Sequence, residues 1–124
     1  MCKKAEVKPV AGQSSSISAV ICTHDRTALL ARALRSLIPQ QLDEILVVDN
    51  APSDQQTEDL VRRDFPSVRY VREPVPGLNF ARNRALAESD RDIVAFLDDD
   101  AVAEAGWMKH LVAAFAEDPA VGLC

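Results

Sequence analysis

Residues 17–49 read ISAVICTHDRTALLARALRSLIPQQLDEILVVD, and this stretch gives the clearest indication of the fold class. Its first part, ISAVIC (17–22), is a short apolar run rich in β-branched residues, which predicts a buried strand. Apolar residues then recur at helical spacing until Pro39, which ends a helix. EILVVD (44–49) is a second short apolar strand. Two such strands joined by a helix predict a parallel pair with the helix packed on one face.

The same alternation continues to the end of the chain. Ser53 and Gln56 have the spacing of a capping box, so a second helix is predicted to start there and run to about Asp64. The later predicted elements are a strand VRYVRE (68–73), a helix from Leu78 to Glu88, a strand DIVAFLD (92–98) and a helix from Glu104 to Glu117. The order β-α-β-α-β-α-β-α predicts an α/β fold, Rossmann-like, with a mostly parallel sheet and helices on both faces.

The two ends of the chain are expected to differ from this regular part. Residues 1–15 are a polar segment predicted to be a disordered lead-in, so the domain is placed at 16–124. The last residues, AVGLC (120–124), resemble the start of a further strand, which suggests a domain truncated at its C-terminus. An unfinished strand leaves a sheet edge bare, and a homodimer or aggregation is therefore expected.

Composition excludes several classes of protein. Apolar residues make up 48% of the 124 residues, as in ordinary soluble domains, and the net charge of −5 argues against a nucleic-acid partner. The three cysteines have no spacing typical of a disulfide framework or a zinc site, which fits a reducing cytoplasm. No signal peptide or membrane-spanning segment is predicted, and membrane association of a longer protein stays open.

Polar side chains follow each predicted strand, at the edge where open α/β sheets bind ligands. Asp98, Asp99 and Asp100 form the sharpest feature of this edge, because three adjacent carboxylates repel one another and a cation relieves the repulsion. Mg²⁺ or Mn²⁺ suits such oxygen ligands, and either ion also carries substrate phosphates. The alternative is a cluster favoured by a helix N-terminus, but the next predicted helix begins only near Glu104. No glycine-rich phosphate loop is present in the sequence, so a metal ion is expected to neutralise a pyrophosphate.

Four motifs in order resemble family 2 glycosyltransferases with the GT-A fold. They are VICTHDR, LVVDNAPSD, GLNFARNRA and FLDDDA, and the resemblance covers residues 17–124. The resemblance implies the nucleotide-binding half of that fold and a donor that is a UDP-, GDP- or dTDP-sugar. It also implies an inverting transfer to an acceptor hydroxyl, with the general base expected beyond Cys124, so that this chain carries the donor-binding part only.

The resemblance also implies roles for individual residues. Thr23, His24 and Arg26 fall in the first nucleotide-binding loop, and Asp49 falls where the family's acid binds the base. Arg82 matches an arginine near the nucleotide. The outer acids of the family's DxD motif correspond to Asp98, which addresses the ribose or the metal, and to Asp100, which ligates the metal; the role of Asp99 is left open.

Simpler interpretations stay open for some of these residues. Asp49 could belong only to a turn, since Ala51 and Pro52 depart from the family's usual sequence there. Arg82 could pair with a surface acid, and His24 could be a solvated loop residue.

Other classes of protein are weighed as alternatives. A non-catalytic nucleotide-sugar-binding domain is one alternative. A haloacid-dehalogenase-like phosphatase has Asp-x-Asp after its first strand, whereas here the motif follows the fourth. A signalling receiver domain would have an acidic pair after its first strand, and this sequence has none there. A sugar-nucleotidyltransferase would have a glycine-rich first loop, which this sequence also lacks.

Overall fold

The computed structural model describes residues 5–7 and 16–117, and these form alternating strands and helices. The strands are β1 (Ala5–Val7), β2 (Ile17–Thr23), β3 (Glu44–Asn50), β4 (Arg69–Glu73) and β5 (Ile93–Phe96). The helices are α1 (Thr27–Leu37), α2 (Gln56–Asp64), α3 (Leu78–Glu88) and α4 (Trp107–Glu117). The predicted α/β alternation is confirmed. Helix α4 begins three residues later than predicted, because a turn closed by Trp107 N–H and Glu104 C=O passes through Gly106 at φ 83°.

The described strands form one sheet in the order β1-β5-β2-β3-β4. Strands β5, β2, β3 and β4 are parallel, which confirms the mostly parallel sheet expected from the sequence. The central position of β2, with β3 on one side and β5 on the other, places the ends of these three strands next to each other. Polar residues far apart in sequence therefore meet at one edge.

Strand β1 lies in the segment for which no regular structure was predicted. It runs antiparallel to β5, with Ala5 opposite Ala95 and Val7 opposite Ile93. The physical reason is that β5 otherwise has one unpaired side, and three residues of any chain in extended conformation can supply the missing hydrogen bonds. The rest of the predicted lead-in lies outside the described residues.

Helices cover both faces of the sheet. Helices α1, α2 and α4 lie on one face and α3 on the other, where Ala81 and Ala85 pack on the strands. Leu30, Leu34 and Leu37 of α1 are fully buried, and at about 1.5–3 kcal/mol each their burial is the main force that holds this helix to the sheet.

Two expectations concern regions beyond this core. The predicted strand at 120–124 lies outside the described residues, and the homodimer inferred from it stays a prediction. Among the helices of the described ranges, none is long and apolar enough to span a bilayer.

Candidate functional site

A cavity of about 340 Å³ opens at the carboxyl ends of β2, β3 and β5. Its walls come from the loops that follow these strands and from the first turn of α3. The lining residues are Cys22, Thr23, His24, Arg26, Asn50, Leu78, Ala81, Asp98, Asp99 and Asp100. Six of the residues singled out from the sequence are thus brought together here: Thr23, His24, Arg26, Asp98, Asp99 and Asp100.

The three aspartates after β5 have different environments. They enter a tight turn, closed by a 3.0 Å hydrogen bond from Ala101 N–H to Asp98 C=O. Asp99 is only 8% exposed, and its carboxylate accepts a 2.9 Å bond from Thr23 Oγ1 and a 3.3 Å bond from Arg26 Nη1. The middle aspartate, whose role the sequence left open, therefore ties the turn to the end of β2.

Asp98 and Asp100 are exposed and line the cavity on either side of Asp99. Within residues 16–117, neither carboxylate has a hydrogen-bond or ion-pair partner. No group of three histidine, cysteine or acidic side chains in the described part of the chain is arranged to hold a metal. A divalent ion here would need further oxygen ligands, and Mg²⁺ commonly takes these from a phosphate and water.

Hydrogen bonds join the loop after β2 to the loop after β3. Asp25, at φ 51°, accepts hydrogen bonds from Ser53 N–H at 2.9 Å and from the Ser53 hydroxyl. These two bonds lower the pKa of the Asp25 carboxyl. The predicted capping box of Ser53 and Gln56 is wrong, because Asp25 engages Ser53 and α2 begins only at Gln56 without a side-chain cap. His24 is exposed, and its Nδ1 lies 2.8 Å from the backbone oxygen of Asn50.

Asn50 organises the cavity wall, and it was not among the predicted site residues. Its side-chain nitrogen donates to the carbonyls of Glu73 and Val75 at 3.2 and 2.8 Å, and Gly77 N–H donates to its side-chain oxygen at 3.0 Å. The amide thus holds the loop between β4 and α3 against the end of β3. The available signal was its position at the end of a strand, directly after Asp49.

Asp49 is fully buried and does not line the cavity. Tyr70 Oη donates a hydrogen bond to Asp49 Oδ2, while Asp49 Oδ1 is buried and has no partner among the described residues. Burial raises the pKa of the Asp49 carboxyl, and the bond from Tyr70 opposes this rise. Asp49 pairs with Thr23 of β2 across the sheet, so it lies directly behind the cavity wall.

Arg82 also lies outside the cavity lining. Its guanidinium sits over the ring of Phe96, 5.9 Å from the ring centre, and forms no ion pair with an acid of residues 16–117. It is also close enough to lower the pKa of the Cys22 thiol, although burial outweighs it and raises that pKa to about 12. Cys22 is a free cysteine that is half-buried and lines the cavity.

Comparisons with known proteins show the family to which the chain is related. Residues 18–124 match the model of the family described as glycosyl transferase family 2. A succinoglycan biosynthesis protein, ExoM, from Rhizobium meliloti is 34% identical over 100 residues, which are 74% of this chain and 32% of that protein. Validoxylamine A glucosyltransferase from Streptomyces hygroscopicus subsp. limoneus is 32% identical over 90% of this chain and 27% of its own length. This chain spans about a third or less of the length of these two relatives.

Two solved structures share the fold. A mannosyltransferase from Pyrobaculum calidifontis in complex with GDP-Man and Mn²⁺ is similar with a TM-score of 0.76 and 27% identity, over 93% of this chain and 36% of that chain. Glucosyl-3-phosphoglycerate synthase from Mycobacterium tuberculosis, in complex with Mn²⁺ and UDP, has a TM-score of 0.68 and 26% identity, over 82% of this chain and 39% of that chain. With the fold, the edge of aspartates and the match over residues 18–124 taken together, the chain belongs to glycosyl transferase family 2.

Proposed function

We propose that this chain binds the diphosphate of a nucleotide-sugar donor through a divalent ion held by Asp98 and Asp100, for transfer of the sugar to an acceptor hydroxyl with inversion. The relatives support a glycosyltransferase, and two structural neighbours are complexes with Mn²⁺ and either GDP-Man or UDP. We propose, in addition, that this chain binds a metal and a nucleotide-sugar donor and that the whole protein transfers the sugar.

The observation that best supports the proposal is that the three aspartates have different environments. Asp99 is buried and bonded to Thr23, so the turn is held without using its neighbours. Asp98 and Asp100 are left exposed in the cavity wall, and their carboxylates have no partner within residues 16–117. Mg²⁺ and Mn²⁺ favour such carboxylates, and one or two of them plus phosphate oxygens complete a typical site. The residues present therefore fit a divalent ion that arrives with a diphosphate.

Other residues of the cavity suit the rest of the donor. The Arg26 side chain is 55% exposed and bonds Asp99 through Nη1, so its guanidinium lies beside the place proposed for the pyrophosphate. The bound ion would neutralise charge on the departing nucleoside diphosphate. Thr23 holds the turn of aspartates and Asn50 holds the loop between β4 and α3 through the bonds described above, so that the proposed metal site is formed before the donor arrives.

Inversion requires the acceptor hydroxyl to approach the sugar carbon from the side opposite the diphosphate, while a general base takes its proton. We assign this role to none of the three aspartates. Asp98 and Asp100 are proposed to hold the ion, and Asp99 is occupied by Thr23 and Arg26. The configuration of the product, read by NMR, tests the stereochemistry.

Calorimetric titration of UDP, GDP and dTDP, with Mn²⁺ or with a chelator, tests the metal role. Asp100→Asn keeps the size of the side chain but weakens a ligand for a hard cation, so metal-dependent binding should fall tenfold or more, about 1.4 kcal/mol. Asp90→Asn is the matched control, because it removes the same charge from a 90% exposed side chain before β5, at the opposite end of that strand. Equal affinity with and without metal, or full binding by Asp100→Asn, would contradict the proposal.

A further inference from the structure

The buried carboxylate of Asp49 lacks a hydrogen bond that its position demands. Its side chain has no exposed surface, and Oδ1 has no partner among the described residues. A buried acceptor without a donor is costly, and more so when it is charged, so proteins leave few such atoms. An oxygen of this kind next to a cavity indicates a donor group that comes from a ligand.

The other oxygen of Asp49 is already occupied. Tyr70 Oη donates to Oδ2, and the Tyr70 ring packs against the core on the side of α1 and α2. Arg62 lies over the same ring, 5.5 Å from its centre, and is itself bonded to Glu58 at 2.9 Å. The phenol is thus held from both sides, and it fixes which oxygen of Asp49 stays free.

Asp49 lies beside the proposed donor site. Asp49 is paired across the sheet with Thr23, which lines the cavity. Because Oδ1 is closed to solvent, an incoming group needs the loops beside it to move. The loops that follow β2 and β3 are joined by the exposed bonds between Asp25 and Ser53, which can exchange with water at little cost.

We infer that Tyr70 is a positioning residue that sets the choice of nucleotide base, by occupying one oxygen of Asp49 and leaving a single acceptor. Uracil and thymine offer one ring N–H between two carbonyls, which a single acceptor satisfies. Guanine offers N1–H and the neighbouring amino group side by side, and these require two acceptors. The pair Asp49–Tyr70 therefore favours a uridine or thymidine diphosphate donor over a guanosine one. This inference rests on the proposed function.

The test is the affinity of the full chain for UDP and for GDP in the presence of Mn²⁺. The unmodified protein should bind UDP at least about tenfold more tightly, since guanine leaves one donor unsatisfied. Tyr70→Phe removes only the hydroxyl and frees both oxygens of Asp49. UDP binding should weaken about three- to tenfold, because the free oxygen loses its fixed position. GDP binding should stay the same or improve. The ratio of UDP affinity to GDP affinity should therefore fall.

Thr57→Val is the matched control for loss of a hydroxyl. Thr57 is 3% exposed, and its hydroxyl bonds Thr27 at 2.9 Å, whereas the hydrogen bond to Asp49 comes from Tyr70. This variant should keep the ratio of the two affinities even if its stability falls. A purely structural role for Tyr70 would lower both affinities together and leave their ratio unchanged.

The pH dependence of UDP binding gives a second readout. Asp49 must be ionised to accept the ring N–H, and the bond from Tyr70 lowers its pKa against the effect of burial. Tyr70→Phe should therefore move the acid limit of UDP binding to higher pH. Asp25, Glu58 and Arg72 also act on this carboxyl, but they are the same in both proteins.

The outcomes separate the inference from the proposed function. If the unmodified chain binds no nucleotide with Mn²⁺, both are overturned. If it binds UDP and GDP equally, or if Tyr70→Phe leaves the ratio and the pH profile unchanged, only the role of Tyr70 is overturned and the metal-dependent donor site stands.

Discussion

The Thr23→Val substitution isolates the contact that distinguishes Asp99 from its two neighbours. Valine has nearly the shape of threonine and suits a strand, so the change removes the hydroxyl and little else. That hydroxyl is the 2.9 Å donor to Asp99, and both side chains are buried, at 3% and 8% exposure. The variant leaves a buried carboxylate with Arg26 as its remaining side-chain partner.

The expected loss of stability follows from the type of bond. A hydrogen bond to a charged group contributes about 1.5–3 kcal/mol, and leaving a buried charge short of a donor keeps the cost in that range. The Arg26 side chain is 55% exposed, so Arg26→Gln should cost about 0–1 kcal/mol, as exposed ion pairs do. Thr57→Val, which breaks a buried bond between two neutral hydroxyls, should cost about 0.5–1.5 kcal/mol.

Urea denaturation followed by circular dichroism measures these differences. With a slope of about 2 kcal/mol per M, a loss of about 2 kcal/mol lowers the midpoint by about 1 M, which is well resolved. The expected order of destabilisation is Thr23→Val, then Thr57→Val, then Arg26→Gln. If Arg26→Gln cost as much as Thr23→Val, or if Thr23→Val were neutral, the account of Asp99 as the buried anchor of its turn would be refuted.

Three further predictions concern residues around the same edge. Ala51 has φ 44°, so Ala51→Gly should raise the free energy of unfolding by about 0.5–1 kcal/mol in thermal denaturation. Asp25, at φ 51°, is the control: Asp25→Gly should not stabilise the chain, because it also loses the bonds to Ser53. The pKa of Asp49 is raised on folding, so its ionisation costs stability as pH rises through that pKa. Asp49→Asn should therefore be more stable than the unmodified chain at neutral pH, and an advantage that did not shrink on acidification would contradict this. Burial raises the pKa of Cys22 to about 12, so iodoacetamide at pH 7 should label it far more slowly than an exposed thiol, as peptide mapping by mass spectrometry would show.

Much of the site could be located from the sequence. The residues that follow β2 and β5 line one cavity, because the carboxyl ends of adjacent parallel strands meet at one edge. The resemblance separated the outer aspartates from Asp99, but the sequence left the role of Asp99 open, because its bond to Thr23 joins residues 76 positions apart.

The sequence pattern gave a wrong prediction where a residue distant along the chain bonded a side chain that was expected to make a local contact. Ser53 and Gln56 have the spacing of a capping box, yet Asp25 lies close enough to accept both donors of Ser53. Tyr70 was seen only as part of an alternating strand, and its bond to Asp49 depends on the pairing of β3 with β4. Neither contact can be predicted from the spacing of these residues along the chain.

The sequence by itself determined the succession of strands and helices, since the period of the apolar residues is a property of neighbouring positions along the chain. It also determined that acids would gather at the carboxyl edge of a parallel sheet. Tertiary structure alone decided the strand order, the pairing of β1 with β5, and which oxygen of Asp49 lacks a partner. The physical reason is that burial and hydrogen bonding at these points depend on residues brought together only when the sheet is assembled.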